Sequence, residues 1–326
     1  MIRARILGTG KAVPSRVVTN DDLARIVDTS DQWIVERTGI RERRILEEGR
    51  TTSDLATEAA TNALAAAGIA AGELDAIIVS TVTPDSPLPA CAVHVQRKLG
   101  ATCPAFDIAA ACAGFLYGLG IAEGFIATAA YRRVLVIGVE VLSRWMLDWS
   151  DRNTCVLFGD GAGAVVLGPA DGDRGILSVH LFSDGSQAGV LHVPAGGVEL
   201  PTSQATVEAR QHFVKMNGKG VFAHAVRNMS RAAQVALEAN QLSADDIDWF
   251  VAHQANLRIV EGVAEKLRLP LARFYLNLQR YGNTSSASIP IALDEAVRDG
   301  SIKRGQLLLM GALGAGLSWG SAIVRW

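Results

Sequence analysis

The sequence predicts an α/β fold of stacked layers built from two similar βαβ-rich halves, and three observations carry that prediction. Short, nearly continuous apolar runs such as "AIIVST" and "VLVIGV" alternate with long helical segments, the pattern of strands covered on both faces. Segments also recur: Gly72–Thr81 ("GELDAIIVST") matches Ala244–His253 ("ADDIDWFVAH"), and Arg133–Glu140 ("RVLVIGVE") matches Gly305–Ala312 ("GQLLLMGA"), both at an offset of 172. The later strands Gly161–Val166 and Trp319–Val324 correspond as well, at an offset of 158. Chance similarity of short apolar runs is the competing reading. A duplication divides the chain into residues 1–172 and 173–326, joined near Asp171–Arg174, with the site expected where the halves meet.

Along the chain, period and propensity justify each element. The Ala-rich segment Thr52–Ala67 has helical spacing and strong helix formers, and "AIIVST" follows as a buried strand. Phe106–Ile108 ends another short apolar run. From Cys112 onward, Phe115, Leu116 and Leu119 recur at helical spacing, which places Cys112 where a strand hands over to a helix. "VLVIGV" reads as a strand, and "FGDGAGAVVLG" runs into the next. In the second half, Val221–Ala239 reads as a helix, and "DWFVAH", "QLLLMGA" and "LSWGSAIVRW" as strands. The offset of 172 carries Cys112 onto Thr284 in "YGNTSSAS".

Composition narrows the function classes. The 326 residues are 49% hydrophobic and 20% charged, enough to bury a large core. A net charge of −2 with interspersed signs argues against nucleic acid or a membrane surface as a partner. No span reaches membrane-crossing length and "MIRARILGTGKAVP" has no signal-peptide core, so a cytoplasmic protein is expected. Cys91, Cys103, Cys112 and Cys155 show no paired spacing and the histidines are scattered, so neither disulfides nor a metal site is expected. The glycine-rich stretches are not phosphate loops. "GALGAG" (Gly311–Gly316) leads into another strand and leaves no helix N-terminus for a pyrophosphate, and "GTGK" (Gly8–Lys11) meets Pro14 before a helix can begin. These glycines are expected in tight turns and at close backbone approach to a ligand.

Three places remain where polar residues interrupt strand-to-loop transitions: Cys112, the "HQAN" of His253–Asn256, and Asn283 in "YGNTSSAS". All three are expected beyond the carboxyl ends of strands, where open α/β sheets gather their sites. A cysteine at a helix start has its thiolate favoured by the dipole and the free N–H groups. A histidine can hold or accept a proton, and an asparagine donates a hydrogen bond without changing charge. Together they suit chemistry on a thioester or amide carbonyl. The other cysteines and histidines have no such context and are expected to be packing residues.

The motifs "DIAAACAGFLYGL", "VAHQANLRI", "RYGNTSSASIPIAL", "GALGAGLSWGSAIVRW", "TSDQWIVERTGIRERR" and "VLFGDGAGAVVL" recur in family order, and through them the chain resembles the β-ketoacyl-acyl-carrier-protein synthase III family from residue 3 to Trp326. The resemblance implies the thiolase fold, two similar halves in a five-layered αβαβα arrangement, and a homodimer. It implies an acyltransferase that condenses an acyl-CoA (acetyl-CoA or a somewhat longer one) with malonyl-acyl-carrier protein, with loss of carbon dioxide, to initiate fatty-acid synthesis. The alternative is a related condensing enzyme of polyketide, quinolone or signal-molecule synthesis. No cofactor beyond these substrates is implied. Residue by residue, the resemblance makes Cys112 the acylated nucleophile, and His253 and Asn283 the donors to the malonyl thioester carbonyl. It makes the Cys112 N–H and one N–H of the Ala315–Gly316 turn the oxyanion hole. Trp33 and Arg152 would sandwich the CoA adenine, Arg37 and Asn256 would lie near the phosphates and pantetheine, and Arg258 would dock the acidic carrier protein.

Several positions depart from the family. Ala223 and Glu265 stand where lysines are common, leaving Lys215, Lys219, Lys266 and Arg268 as nearby positive charges. Leu88 stands where acetyl-selective members place a Phe across the dimer, which implies room for acyl groups beyond acetyl. Trp145 and Trp149 are also unusual and are expected to reshape the CoA mouth. A thiolase would need a second cysteine near "GALGAG", which has none, and non-catalytic partner subunits typically lose the nucleophile that this chain keeps.

Overall fold

A computed structural model describes residues 2–326. The first half contributes strands β1 (Ala4–Ala12), β2 (Ala76–Ser80), β3 (Ala105–Ile108), β4 (Val134–Glu140) and β5 (Gly161–Pro169), with helices α1 (Asp31–Thr38), α2 (Thr52–Ala67), α3 (Cys91–Leu99) and α4 (Gly114–Ala127). The second contributes β6 (Gly175–Ser183), β7 (Trp249–Ala252), β8 (Leu307–Gly314) and β9 (Ser318–Arg325), with α5 (Gly218–Ala239), α6 (Leu257–Leu267) and α7 (Ser288–Arg298). Short turns, helices and ribbons connect these.

The first sheet runs β1–β5–β4–β2–β3, with β4, β2 and β3 parallel and β5 antiparallel to both its neighbours. The second runs β6–β9–β8–β7, with β8 and β7 parallel and β9 antiparallel to both its neighbours. The two orders correspond strand for strand, except that a single parallel bridge between Phe250 and Phe274 stands where β3 would be. The correspondence extends to two 3-10 turns, Ala111–Ala113 before α4 and Ser285–Ala287 before α7, whose first residues share a left-handed φ of 45° and 50°. Matching these turns sets Cys112 opposite Ser286, not Thr284 as the offset of 172 predicts. The connection leading to the second turn is longer, so one offset does not serve the whole half.

Helices α4 and α7 lie between the sheets. Phe115, Leu116 and Leu119 of α4 and Leu293 of α7 share one core with Ile78 and Val136 of the first sheet and with Leu308 and Met310 of the second. Helices α2 and α3 cover the outer face of the first sheet, and α5 and α6 that of the second, giving five layers. Each fully buried Leu, Ile or Phe contributes roughly 1.5–3 kcal/mol, so the middle layer stabilises both halves at once.

Local signals explain the helix ends. Thr51 and Asp54 form a reciprocal capping box at the start of α2, and Gly68 ends it at φ 65°. Helix α5 begins before the expected Val221, at Gly218, because the Asn217 side chain accepts from Gly220 N–H and compensates for glycines that propensity counts against a helix. The glycines of "GTGK" require a correction. Gly8 and Gly10 lie inside β1, where a Cβ would sit 2.4 and 2.3 Å from the backbone nitrogens of Ala67 and Ala63 in α2. Gly163 in β5 likewise lies against the backbone of Pro290 and Ile291 in α7. These glycines let helices lie directly on strands and are neither turns nor ligand contacts. Among the described residues no helix is long and apolar enough to cross a membrane, and no group of three or more His, Cys, Asp or Glu side chains is arranged to hold a metal ion.

Candidate active site

Cys112 is the middle residue of the 3-10 turn that follows β3, and α4 begins at Gly114. Two glycines bring both halves against it. A Cβ on Gly114 would fall 1.8 Å from Ser80 Oγ on β2, and one on Gly314 at the end of β8 would fall 2.6 Å from the Cys112 nitrogen. Burial pushes the Cys112 thiol up to about 12; a hydrogen bond with the Ser285 side chain acts against the rise, and the Glu140 carboxylate adds to it. The resting Cys112 side chain is therefore a thiol, although its place at a helix start predicted a favoured thiolate. Desolvation outweighs the helix dipole at this position.

His253 follows β7, and its N–H donates to Gly311 O of β8 at 2.8 Å. The next residue holds the loop in place: the Gln254 side-chain amide donates to Tyr275 O at 2.8 Å, and its Oε1 accepts from the N–H groups of Asn277 and Leu278 at 2.9 and 3.1 Å. Burial pushes the His253 imidazole down to about 4, so the ring is neutral near pH 7. Its Nδ1 is buried without a hydrogen-bond partner, which leaves Nε2 for the cleft.

Asn283 does not lie beyond a strand of its own sheet, as the sequence predicts. It follows the short helix Leu278–Tyr281 and is pinned by main-chain hydrogen bonds, donating to Leu157 O at 2.8 Å and accepting from Gly159 N–H at 3.1 Å. Its Oδ1 accepts from Ser285 N–H at 2.8 Å, so the Nδ2 amide remains as a donor.

These three side chains line one cleft of about 450 Å³, together with Arg37, Asn256 and Arg258. An apolar cavity of about 200 Å³ adjoins Cys112 and is lined by Leu142, Met146, Phe158, Leu191, Val214 and Ala315, among others. Of the expected oxyanion pair, Ala315 lines this cavity beside Cys112, whereas exposed Gly316 lines neither space. The guanidinium groups of Arg37 and Arg152 lie 4.4 and 4.6 Å from the centre of the Trp33 ring, and Arg152 also donates to Asp28 O at 2.7 Å. Asn256 caps α6, its Oδ1 accepting from Arg258 N–H at 2.9 Å. Arg258 is exposed and donates to Glu36 O at 2.8 Å.

Comparison with known proteins decides the family. Profiles described as 3-oxoacyl-[acyl-carrier-protein (ACP)] synthase III and as its C-terminal part match residues 106–185 and 237–326. Relatives named β-ketoacyl-[acyl-carrier-protein] synthase III from Paramagnetospirillum magneticum and Caldanaerobacter subterraneus are 54% and 51% identical, over 100% of this chain and 99% and 98% of theirs. The chain belongs to the β-ketoacyl-[acyl-carrier-protein] synthase III family. The crystal structure of the synthase III of Aquifex aeolicus has a TM-score of 0.92 at 45% identity, covering 99% of this chain and 100% of that one. The priming β-ketosynthase of the R1128 polyketide pathway has a TM-score of 0.90 at 38% identity, covering 98% and 95%. The five-layered architecture is the thiolase fold.

Some expectations for this synthase III chain change once its side chains are in place. Leu88 is 85% exposed and lines neither the cleft nor the apolar cavity of its own chain. Trp145 and Trp149 also stay away from both: Trp145 lies beside the Pro84–Pro87 loop, and Trp149 turns inward, its Nε1 donating to Ser143 O at 3.0 Å. Met146, between them, is the residue that reaches the cavity, as does His192, which the sequence left without a role. Two further residues behind Cys112 escaped the sequence reading. Ser285 lay within a motif already singled out, and Glu140 was visible as the one acid closing the apolar strand "VLVIGVE".

Proposed function

We propose that this synthase III transfers an acyl group from acyl-CoA to Cys112 and condenses it with malonyl-acyl-carrier protein, releasing carbon dioxide and giving the 3-ketoacyl-acyl-carrier protein that starts fatty-acid synthesis. The observation that carries this reading is the convergence of Cys112 from one half with His253 and Asn283 from the other on a single buried cleft. In the first stage the Cys112 sulfur attacks the acyl thioester carbonyl, whose oxygen is met by the Cys112 N–H and an N–H of the Ala315–Gly316 turn. CoA leaves as its thiol, carrying the proton that Cys112 gives up. In the second stage the malonyl thioester loses carbon dioxide, and its carbonyl oxygen takes the developing enolate charge against His253 Nε2–H and the Asn283 amide. The enolate carbon then attacks the acyl-cysteine carbonyl and frees the sulfur. Each preorganised donor in such a dry site contributes roughly 3 kcal/mol of barrier lowering. The sequence of steps needs no resident cofactor.

Trp33 and Arg152 would part to take the adenine ring between them, with Arg37 near the phosphates and Asn256 near the pantetheine. Exposed Arg258 would meet the acidic carrier protein. The apolar cavity next to Cys112 supports acyl groups larger than acetyl. A homodimer is supported by the open edge at β3 and by Leu88, whose exposed side chain would reach the partner's acyl cavity. Priming of a polyketide chain is the second reading, favoured by the likeness to the R1128 ketosynthase. Both are tested by incubating the protein with acyl-CoAs of increasing length, measuring intact mass and mapping the adduct. An acyl group on Cys112 followed by ketoacyl product on adding malonyl-carrier protein supports the condensation, and the preferred length separates the two pathways. No adduct with any CoA ester overturns the CoA-primed reading.

A further inference from the structure

Glu140 ends β4, a central strand of the first sheet, and its carboxyl group is completely buried. Its Oε2 accepts from Thr83 Oγ1 at 2.6 Å, and both oxygens lie 3.2 Å from Val82 N–H. Its Oε1 accepts from Ser286 Oγ at 3.2 Å and, more weakly, from Ser285 Oγ at 3.5 Å. Those two serines belong to the turn of the opposite half that follows Asn283. Ser285 is the pivot: it lines the apolar cavity together with Cys112, where its hydroxyl favours the thiolate, and its N–H holds Asn283 Oδ1. A single carboxyl group therefore stands behind the nucleophile and behind one of the two enolate donors.

We infer that Glu140 is a positioning residue that, through Ser285 and Ser286, sets the thiol of Cys112 and the amide of Asn283 together and adjusts the ease with which Cys112 ionises. Its role in condensation rests on the proposed function; its effect on the thiol does not. Burial pushes the carboxyl of Glu140 up to about 7, and the groups that act most strongly against burial are the hydroxyls of Thr83, Ser286 and Thr81 and the Val82 N–H. The titratable groups around it are the thiols of Cys112 and, at the start of α3, Cys91. Around Cys112 itself, the cleft also holds neutral His253 and the guanidinium groups of Arg37 and Arg258. An ionised Glu140 thus opposes the Cys112 thiolate, while the Ser285 hydroxyl favours it. A carboxylate without a cation beside a nucleophile that must ionise is costly unless it organises something, and the hydroxyls it organises are those touching the reacting groups.

Two substitutions with opposite expected signs test this. In Glu140→Gln the charge goes and the shape stays, so alkylation of Cys112 by iodoacetamide at pH 8 speeds up about three- to tenfold. In Ser285→Ala the thiolate loses the hydroxyl that favours it, and alkylation at the same pH slows. Both variants slow decarboxylation of malonyl-carrier protein by about tenfold, because the turn whose Ser285 N–H holds Asn283 Oδ1 loses part of its tie to Glu140. Unchanged alkylation rates in both variants, or changes of the same sign, overturn the inference and leave Glu140 a structural core residue. Should Glu140→Gln not fold, the Ser285→Ala rate decides alone. Alkylation needs no substrate, so failure of the acyl-CoA reading leaves this measurement standing, and an acyl-competent protein with unmoved alkylation rates sinks the inference without touching that reading.

Discussion

At the scale of single residues, the neutrality of His253 is what most constrains the chemistry. A histidine at its ordinary value would be half charged near pH 6.5, and a charged ring would present a different donor to the thioester oxygen it is proposed to meet. Burial lowers this one to about 4. The sign follows: the neutral form persists as pH falls through 6.5 and is lost only as pH approaches 4. Decarboxylation of malonyl-carrier protein by the acylated enzyme should therefore show no His253 limb in the usual histidine range. A pH–rate profile in single turnover checks this, with His253→Asn as the control that removes the group. A limb near pH 6.5 present in the wild type and absent from the variant would contradict the buried, neutral ring. The same penalty acts on folding. The unfolded chain takes up the proton below about 6.5 and the folded one does not, so stability falls between pH 6.5 and 4, by on the order of 3 kcal/mol at the lower end.

Between elements, two glycines with similar local crowding should behave oppositely. Gly10 in β1 meets the α2 backbone, far from the cleft, and Gly314 ends β8 against the turn that carries Cys112. Gly10→Ala should cost about 1–3 kcal/mol of stability, lowering Tm by several degrees, with kcat unchanged in the folded protein. In Gly314→Ala the new methyl group would lie 2.6 Å from the Cys112 nitrogen and 3.0 Å from Ala110 O, so the turn that carries Cys112 must move. Its acylation rate should drop by about 10²-fold, beyond what any change in Tm explains. Thermal melts beside acylation rates distinguish the two, and a Gly314→Ala enzyme that acylates normally would show that the turn tolerates displacement. The contrast also marks how far pattern reaches. Strands covered on both faces are legible because their apolar runs are continuous, and α2 is legible because its caps and its spacing agree. Gly8 and Gly10 are not, because what they accommodate is a helix distant in the chain. Cys112, His253 and Asn283 stood out as polar interruptions of strand ends, but Ser285 and Glu140 acquire meaning only when the two turns meet. Asn283 misled for the same reason: its position is set by main-chain hydrogen bonds to Leu157 and Gly159, which no periodicity in its own half reports.

For the molecule as a whole, the middle layer decides whether the halves are separable. Helix α4 grows from the first sheet and α7 from the second, yet both contribute to one core whose walls are the two sheets. Polar ties reinforce it. Thr9 of β1 donates to the fully buried Asp294 of α7 at 2.8 Å, and Lys11 pairs with Glu295, which also accepts from Tyr281 at 2.6 Å. Burial pushes the Glu295 carboxyl up, but hydrogen bonds from Lys11, Tyr281 and Asn277 outweigh it and hold the group below its ordinary value. That stability is present above about 4.5 and is lost as pH falls through the lowered value. Removing either half would expose the inner faces of the remaining sheet and of its own middle-layer helix, α4 or α7, an apolar surface too large for a soluble domain to leave open. The duplicated halves should therefore unfold as one unit despite their repeated topology. Calorimetry near neutral pH, with the oligomeric state held constant across concentrations, should give one transition whose calorimetric and van't Hoff enthalpies agree. Residues 1–172 expressed alone should be insoluble or lack cooperative melting. Two separable transitions, or an independently folded half, would mean that the core between the sheets is weaker than its burial indicates, and that the cleft can open by parting the halves.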